Sequence, residues 1–426
     1  MSPPIAAAWG AIAMLGAGRL PAQSVAITHA NVLTMGAAGH VEDGTIIVEN
    51  GRITAVGRGL APPAGMAVLD AKGQVAAPGF FLLGGTPSAT EFPLDAHYDD
   101  SQTNAEFTAG YDMRYAINPN STYLPEIRRA GSTIALVMPT VTSSRKHRFG
   151  YFGGQAALIT LAARDDILLG SGLAVTLVMG AEGADMAGGG RPAQIMQLRA
   201  LFQALQGSRD AKIDGLADEE VKALRAVAAG RIPLITTVHR QSDILAALDL
   251  ARDFKLHMVL DGAEEGWRVA AEIRKAGVAV LLDTDVGSPP DTQRWGISYA
   301  NAARLAAAGV PIAIRLGNSG AVFRYPTARY SAAVAVAHGL DHETALAALT
   351  SVPATILGIG DRYGSIEPGK QADFVLWTGD PLEIASRPAR VFIGGVVQPL
   401  VSRQTLLRDR YLAQIRTAAP QPQNQP

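Results

Sequence analysis

Cysteine is absent from the 426 residues. That absence removes disulfides, thiolate nucleophiles and zinc–thiolate cages together, and leaves the compartment open. Excess charge of either sign is missing too. The formal net charge is −1, so there is no electrostatic case for a nucleic acid or an anionic membrane surface as partner. The apolar, Ala-rich run at residues 5–18 falls short of the ~20 residues needed to cross a bilayer, and no later segment reads as a membrane span. No Gly-x-Ser-x-Gly elbow occurs, which removes the serine-nucleophile signature. The glycine-rich stretch 183–192 is followed by neither Lys-Ser nor Lys-Thr, so it is no phosphate cradle. Its composition predicts a mobile loop.

What is present is enough apolar sequence for one large barrel and a small accessory domain: 48% of residues are hydrophobic and 18% charged. Residues 5–18 followed by Leu20-Pro-Ala-Gln23 fit a signal peptide cleaved after Ala22, hence a periplasmic or secreted protein, although no Lys or Arg precedes the run. The alternatives are an N-terminal helix and a cytoplasmic chain. From residue 24 to 75 the pattern is strand-like. Asn50-Gly51 marks a hairpin, since both positions tolerate positive φ. Short strands recur at 364–377 and 389–397, and a β-sandwich built from both chain ends (24–75 with 360–400) would stabilise sheets too small to stand alone.

Between them, over residues 76–359, apolar strands alternate with helical stretches. The strands are a first one ending near Leu83, then 132–138, 157–161, 173–179, 234–238, 258–261, 278–282 and 311–316. The helices are 194–205, 217–229, 242–254, 267–276, 301–308 and 328–338. Such alternation implies a parallel sheet, and eight units suit a (β/α)8 TIM barrel. Residues 401–426 form an extension whose Gln/Pro-rich end, 418–426, is expected to be disordered.

Three runs carry a resemblance. They are Val75-Ala-Ala-Pro-Gly-Phe-Phe-Leu-Leu-Gly-Gly-Thr86, Val48-Glu-Asn-Gly-Arg-Ile-Thr-Ala-Val-Gly57, and Asp361-Arg-Tyr-Gly-Ser-Ile-Glu-Pro-Gly-Lys-Gln-Ala-Asp-Phe-Val-Leu-Trp377 with Gly379-Asp-Pro-Leu382 after it. Together with Gly153-Gly-Gln155 and Ile232-Pro-Leu-Ile-Thr-Thr-Val-His-Arg240, they resemble the amidohydrolase superfamily, within it the imidazolonepropionase-like group. The resemblance implies a barrel whose mouth holds a divalent metal, zinc for instance. That ion sharpens water for attack on C–N bonds such as amides and lactams. It also implies the ligand positions. The two first-strand histidines fall on Gly84 and Thr86, and the aspartate before them on Leu82. A His-x-His pair falls on Thr237 and His239, and a sixth-strand histidine on Gly262. The eighth-strand aspartate falls near Gly317 or Asn318, and a bridging lysine near Thr176. Only His239 retains a ligand side chain.

His239 is therefore the one candidate metal ligand and, with Asp283 and Asp285 after the seventh strand, a candidate catalytic group. A lone histidine at a strand end is more often a hydrogen-bonded structural residue, and paired aspartates more often cap helices. Asp95, His97, Asp99 and Asp100 read as a solvated acidic loop, with a relocated metal site as the alternative. Arg145-Lys-His-Arg148 reads as a solvated loop. Glu264 and Glu265 read as favourable negative charge at a helix start. The losses at separately anchored motifs point to a non-catalytic relative without a cofactor: a binder of a small molecule, or a subunit partnering an active paralogue or its own copies. The alternative is a metal-dependent hydrolase of C–N bonds with an atypical site.

Overall fold

The computed structural model describes residues 24–91, 99–103, 107–141, 148–207, 212–284, 293–316 and 328–418. Asp95, His97, Asp285, Gly317, Asn318, residues 145–147, the leader segment and the last eight residues lie outside them. Among the described residues no helix is long and apolar enough to cross a membrane.

Eight strands form a barrel-like sheet in sequence order: β1 (Phe80–Leu83), β2 (Ser132–Val137), β3 (Phe152–Thr160), β4 (Leu168–Val178), β5 (Leu234–Val238), β6 (Met258–Gly262), β7 (Ala279–Leu282) and β8 (Ile312–Ile314). The last strand returns to the first, where the Leu316 N–H donates to the Leu83 carbonyl at 2.9 Å. Strand alternation sorts the side chains. Phe81, Leu83, Ile235, Val259, Leu281 and Ala313 share the core inside the barrel. Phe80, Leu82 and Leu260 face the core under the surrounding helices.

The all-parallel expectation fails at one place. β3 is antiparallel to both β2 and β4, and no helix lies between β3 and β4. Both strands are longer than expected and join through residues 161–167. Too few residues remain there for the crossover that a parallel connection needs. The remaining neighbours pair in parallel.

The stretch 183–192 is not the loop that its glycines suggested. It holds most of the helix Gly180–Met186 and the start of the helix Arg191–Gln206. Gly183 is small because a side chain there would strike Gln194 and the Val178 carbonyl. Close packing requires the glycine at 183, while Gly188 and Gly189 turn the chain between the two helices at φ of 99° and 118°.

Both chain ends meet in one eight-stranded sheet rather than two lone ones. Val75–Pro78 pairs antiparallel with Phe374–Trp377 and parallel with Val25–Leu33. The hairpin tip is where it was expected, with φ of 51° at Asn50 and 79° at Gly51. The edge strand Arg52–Arg58 curls round so that the Ile53 N–H reaches the Lys370 carbonyl at 2.9 Å. This sheet keeps its own core around Ile27, Ile46, Phe374 and Phe392. Trp377, fully buried, ties it to the barrel: its ring lies 5.3 Å from that of Phe80 and beneath the Arg329 guanidinium. The C-terminal extension carries the helix Arg403–Ala418.

Asp373 sits at this junction and accepts from the Gly394 N–H at 2.7 Å. Burial pushes its carboxyl up to about 7, against the pull of that N–H and of Arg164. A pKa raised on folding favours the native state at low pH, and that advantage is lost as pH rises from the unfolded value through 7. Asp373→Asn should therefore raise the urea midpoint at pH 8 and leave it near the parent's at pH 4. Equal midpoints at pH 8 would show that the carboxylate is not buried at a cost.

Candidate functional site

The inward face of β5 to β8 turns polar one step above the apolar barrel core. Two residues beyond Ile235, Val259, Leu281 and Ala313 come Thr237, Asp261, Asp283 and Arg315, on the same face by the two-residue period of a strand. This is the end of a barrel where active sites are built.

Arg315 is only 1% exposed and forms an ion pair with the buried Asp261. Its Nη1 also donates to the Leu316 carbonyl at 2.9 Å, the residue that closes the barrel. The second oxygen of Asp261 accepts from Thr237 Oγ1 at 3.1 Å. A second pair lies beside the first. His239 Nδ1 is 2.5 Å from Glu264 Oε2, and Arg294 Nε is 3.4 Å from Glu264 Oε1. Burial alone would push the Glu264 carboxyl up. The hydrogen bond and charge of His239, then Arg294 and Arg315, outweigh it and leave the group below its ordinary range. Asp283 and Glu264 share the wall of a cavity of about 10 Å³ with Ser298 and Asn301, room for about one water.

The positions from which the resemblance takes metal ligands cannot all accept one. Gly84 has φ +81°, and any Cβ there would meet the Leu316 carbonyl at 2.8 Å. Gly262 has φ +93°, and a Cβ there would meet His239 Nδ1 at 2.8 Å and Glu264 Oε2 at 3.1 Å. Leu82 faces the outer core with Phe80. Thr86 is buried, 2.7 Å by its hydroxyl from Thr90, which donates to Asp99 at 2.9 Å. Asp99 also accepts from the Ser101 backbone and hydroxyl, so its carboxylate organises the loop after β1. No group of three or more histidines and carboxylates that could hold a metal occurs among the described residues. A divalent ion needs free carboxylate and imidazole donors. Here Asp261 is held by Arg315, and Glu264 by His239 and Arg294. Among the described residues, these paired groups do not fit such an ion.

Of the sequence candidates, His239 bonds to Glu264, and Asp283 lines the same small cavity as Glu264; Asp285 lies outside the described residues. Glu264 does precede the short helical turn Gly266–Arg268, but it is buried and bonded to His239. Glu265 accepts from the Gln241 N–H at 2.9 Å and caps the helix Gln241–Phe254. Arg315 and Arg294 were missed. The only signal for Arg315 was an arginine at the end of an apolar strand, where a solvated charge has no place.

Comparison with known proteins follows the same lines. Residues 234–398, from β5 through the C-terminal strands, match the amidohydrolase family model. Short stretches match two curated proteins. The chain is 44% identical over 61 residues to Amidohydrolase tasK of Hapsidospora irregularis, 14% of this chain and 6% of that one. It is 44% identical over 57 residues to urease subunit alpha of Staphylococcus aureus, 13% of this chain and 10% of that one. The chain thus spans a small part of the length of either relative. The fold is shared over nearly the whole chain with an amidohydrolase from Thermotoga maritima MSB8, at TM-score 0.75 and 22% identity, covering 89% of this chain and all of the other. A zinc-bound adenosine deaminase from Xanthomonas campestris is similar at TM-score 0.53 and 17% identity, covering 93% and 99%. Residues 234–398 thus match the amidohydrolase family model, and the fold is similar to that of solved amidohydrolases.

Two outcomes follow from the mouth geometry. Arg315→Met strands Asp261 as an uncompensated buried charge and should cost about 3–5 kcal/mol, whereas Arg315→Met with Asp261→Leu should recover most of the loss. Chemical denaturation of the three proteins measures the coupling, and additive losses would mean that the pair is not an energetic unit. Gly84→Ala should cost roughly 1–3 kcal/mol, from left-handed backbone and the contact with Leu316. An unchanged urea midpoint would remove that constraint.

Proposed function

We propose that this chain is a non-catalytic member of the amidohydrolase superfamily, working as a small-molecule-binding protein or as the partner subunit of an active paralogue. One observation carries the reading: the barrel mouth is neutralised from within. Asp261 is balanced by Arg315, and Glu264 by Arg294 and His239. The cation of this mouth is a guanidinium, which cannot lower the pKa of a bound water as a coordinated ion does. Function follows the site rather than the fold, and this site is built to be stable on its own.

A second reading, a hydrolase with an atypical site, is favoured by the His239–Glu264 bond. A carboxylate on Nδ1 orients an imidazole and leaves Nε2 to accept a proton from water. Asp283, on the wall of the cavity next to Glu264, would then hold that water. This arrangement uses His239, Glu264 and Asp283 alone.

Protein purified without chelators decides between them when its metal content is measured beside a screen of amides and lactams. The non-catalytic reading expects zinc and manganese well below one per chain and no turnover above buffer. Turnover that His239→Ala and Asp283→Asn each abolish would establish the second reading. Near-stoichiometric metal lost together with activity in His239→Ala would overturn the first.

A further inference from the structure

A second cavity shares no lining residue with the one at the mouth. A groove of about 560 Å³ opens on the outer wall of the barrel, within the range of small-molecule sites. Its origin lies in the β3–β4 hairpin. A parallel crossover would have laid a helix over this wall. Here the segment 107–116 and the helix Asp218–Ala228 flank the strands and leave a trough between them.

The trough is built, not left over. Glu220 clamps its two sides, accepting from the Thr108 backbone N–H at 2.9 Å while it caps its own helix at Ala217. Gln155 on β3 fixes the floor: its N–H donates to the Tyr111 carbonyl at 2.7 Å and its side-chain amide to the Gly110 carbonyl at 3.3 Å. Gly172, at φ +65°, leaves room for the side-chain oxygen of Gln155, which a Cβ there would meet at 3.0 Å.

The lining has a chemical bias. Arg114, Lys222 and Arg231 face two carboxylates, Asp112 and Glu219. Arg114 is spent on Asp112, with Nε at 2.7 Å. Lys222 and Arg231 are exposed and pair with no carboxylate among the described residues. Tyr115, 86% exposed, presents its ring on the same rim with the Arg114 guanidinium 5.5 Å from its centroid. We propose that this groove is a binding site for a small organic anion carrying a planar ring. Lys222 and Arg231 take the carboxylate or phosphate, as charge-assisted donors, and Tyr115 takes the ring.

Titration calorimetry of the full chain in phosphate-free buffer of low ionic strength tests this with benzoate, phenyl phosphate, inorganic phosphate and benzamide. Benzoate or phenyl phosphate should saturate one site, and the tighter of the two identifies the anion. Lys222→Gln and Arg231→Gln should each weaken that binding about tenfold, the loss of one charge-assisted contact. Both residues are exposed, so the melting temperature of the unliganded variants should stay at the parent value. Tyr115→Ala should weaken the ring-bearing anions and leave inorganic phosphate unchanged, while His239→Ala at the mouth should change neither. No saturable binding of either ring-bearing anion, equal binding in the Lys222→Gln/Arg231→Gln double variant, or benzamide binding as tightly as benzoate would overturn the assignment.

Discussion

The buried guanidinium of Arg315 is the constraint around which the rest of this mouth is arranged. A full positive charge at 1% exposure has to be answered nearby, because its solvation is lost and the interior returns little of it. Asp261 answers it, Thr237 satisfies the far oxygen of Asp261, and the Leu316 carbonyl takes another guanidinium proton. Leu316 in turn closes the barrel on Leu83. Charge balance and barrel closure are thus met by the same few atoms, and Gly84 must remain a glycine because that closure passes against it.

The fold was legible where its determinants are local. Asn50-Gly51 turns a hairpin by its own backbone preferences, and the apolar blocks of β5 to β8 each end at a polar or glycine residue. The site was legible only in part. His239 could be placed at a strand end from its motif. Its partner Glu264 could not, because what decides the role of Glu264 is a contact across 25 positions. Locally it sits just ahead of a helical stretch and reads as a helix-start charge. Arg315 pairs across 54 positions with Asp261, a relation that no period records. The β3–β4 reversal was hidden for another reason: an apolar block has no direction, so alternation of blocks cannot tell a parallel strand from an antiparallel one. Glycine misled at 183, where it marks close packing rather than a flexible loop.

The two glycines at the positions where the resemblance places histidines are each held by the packing around them. Gly262 holds a left-handed backbone that lets His239 and Glu264 approach each other, and a side chain there would sit on that bond. Gly84 admits the closing strand. A histidine at either place would displace an interaction that contributes to the stability of the mouth. Removing either partner of a guanidinium pair here would leave an uncompensated buried charge.

The same argument bears on where this barrel can bind. A mouth with its charges already paired offers an incoming ligand few free donors or acceptors, and among the described residues its cavity has room for about one water. The outer wall is the reverse case. There the reversal of β3 removes a covering helix and leaves a trough whose floor is held by the bonds of Gln155 and whose rim carries two cations that pair with no carboxylate among the described residues. Ligand affinity comes from groups that are fixed but not yet satisfied. In this structure those groups lie on the outer wall, beside the strand pair where the chain departs from the regular alternation of the barrel.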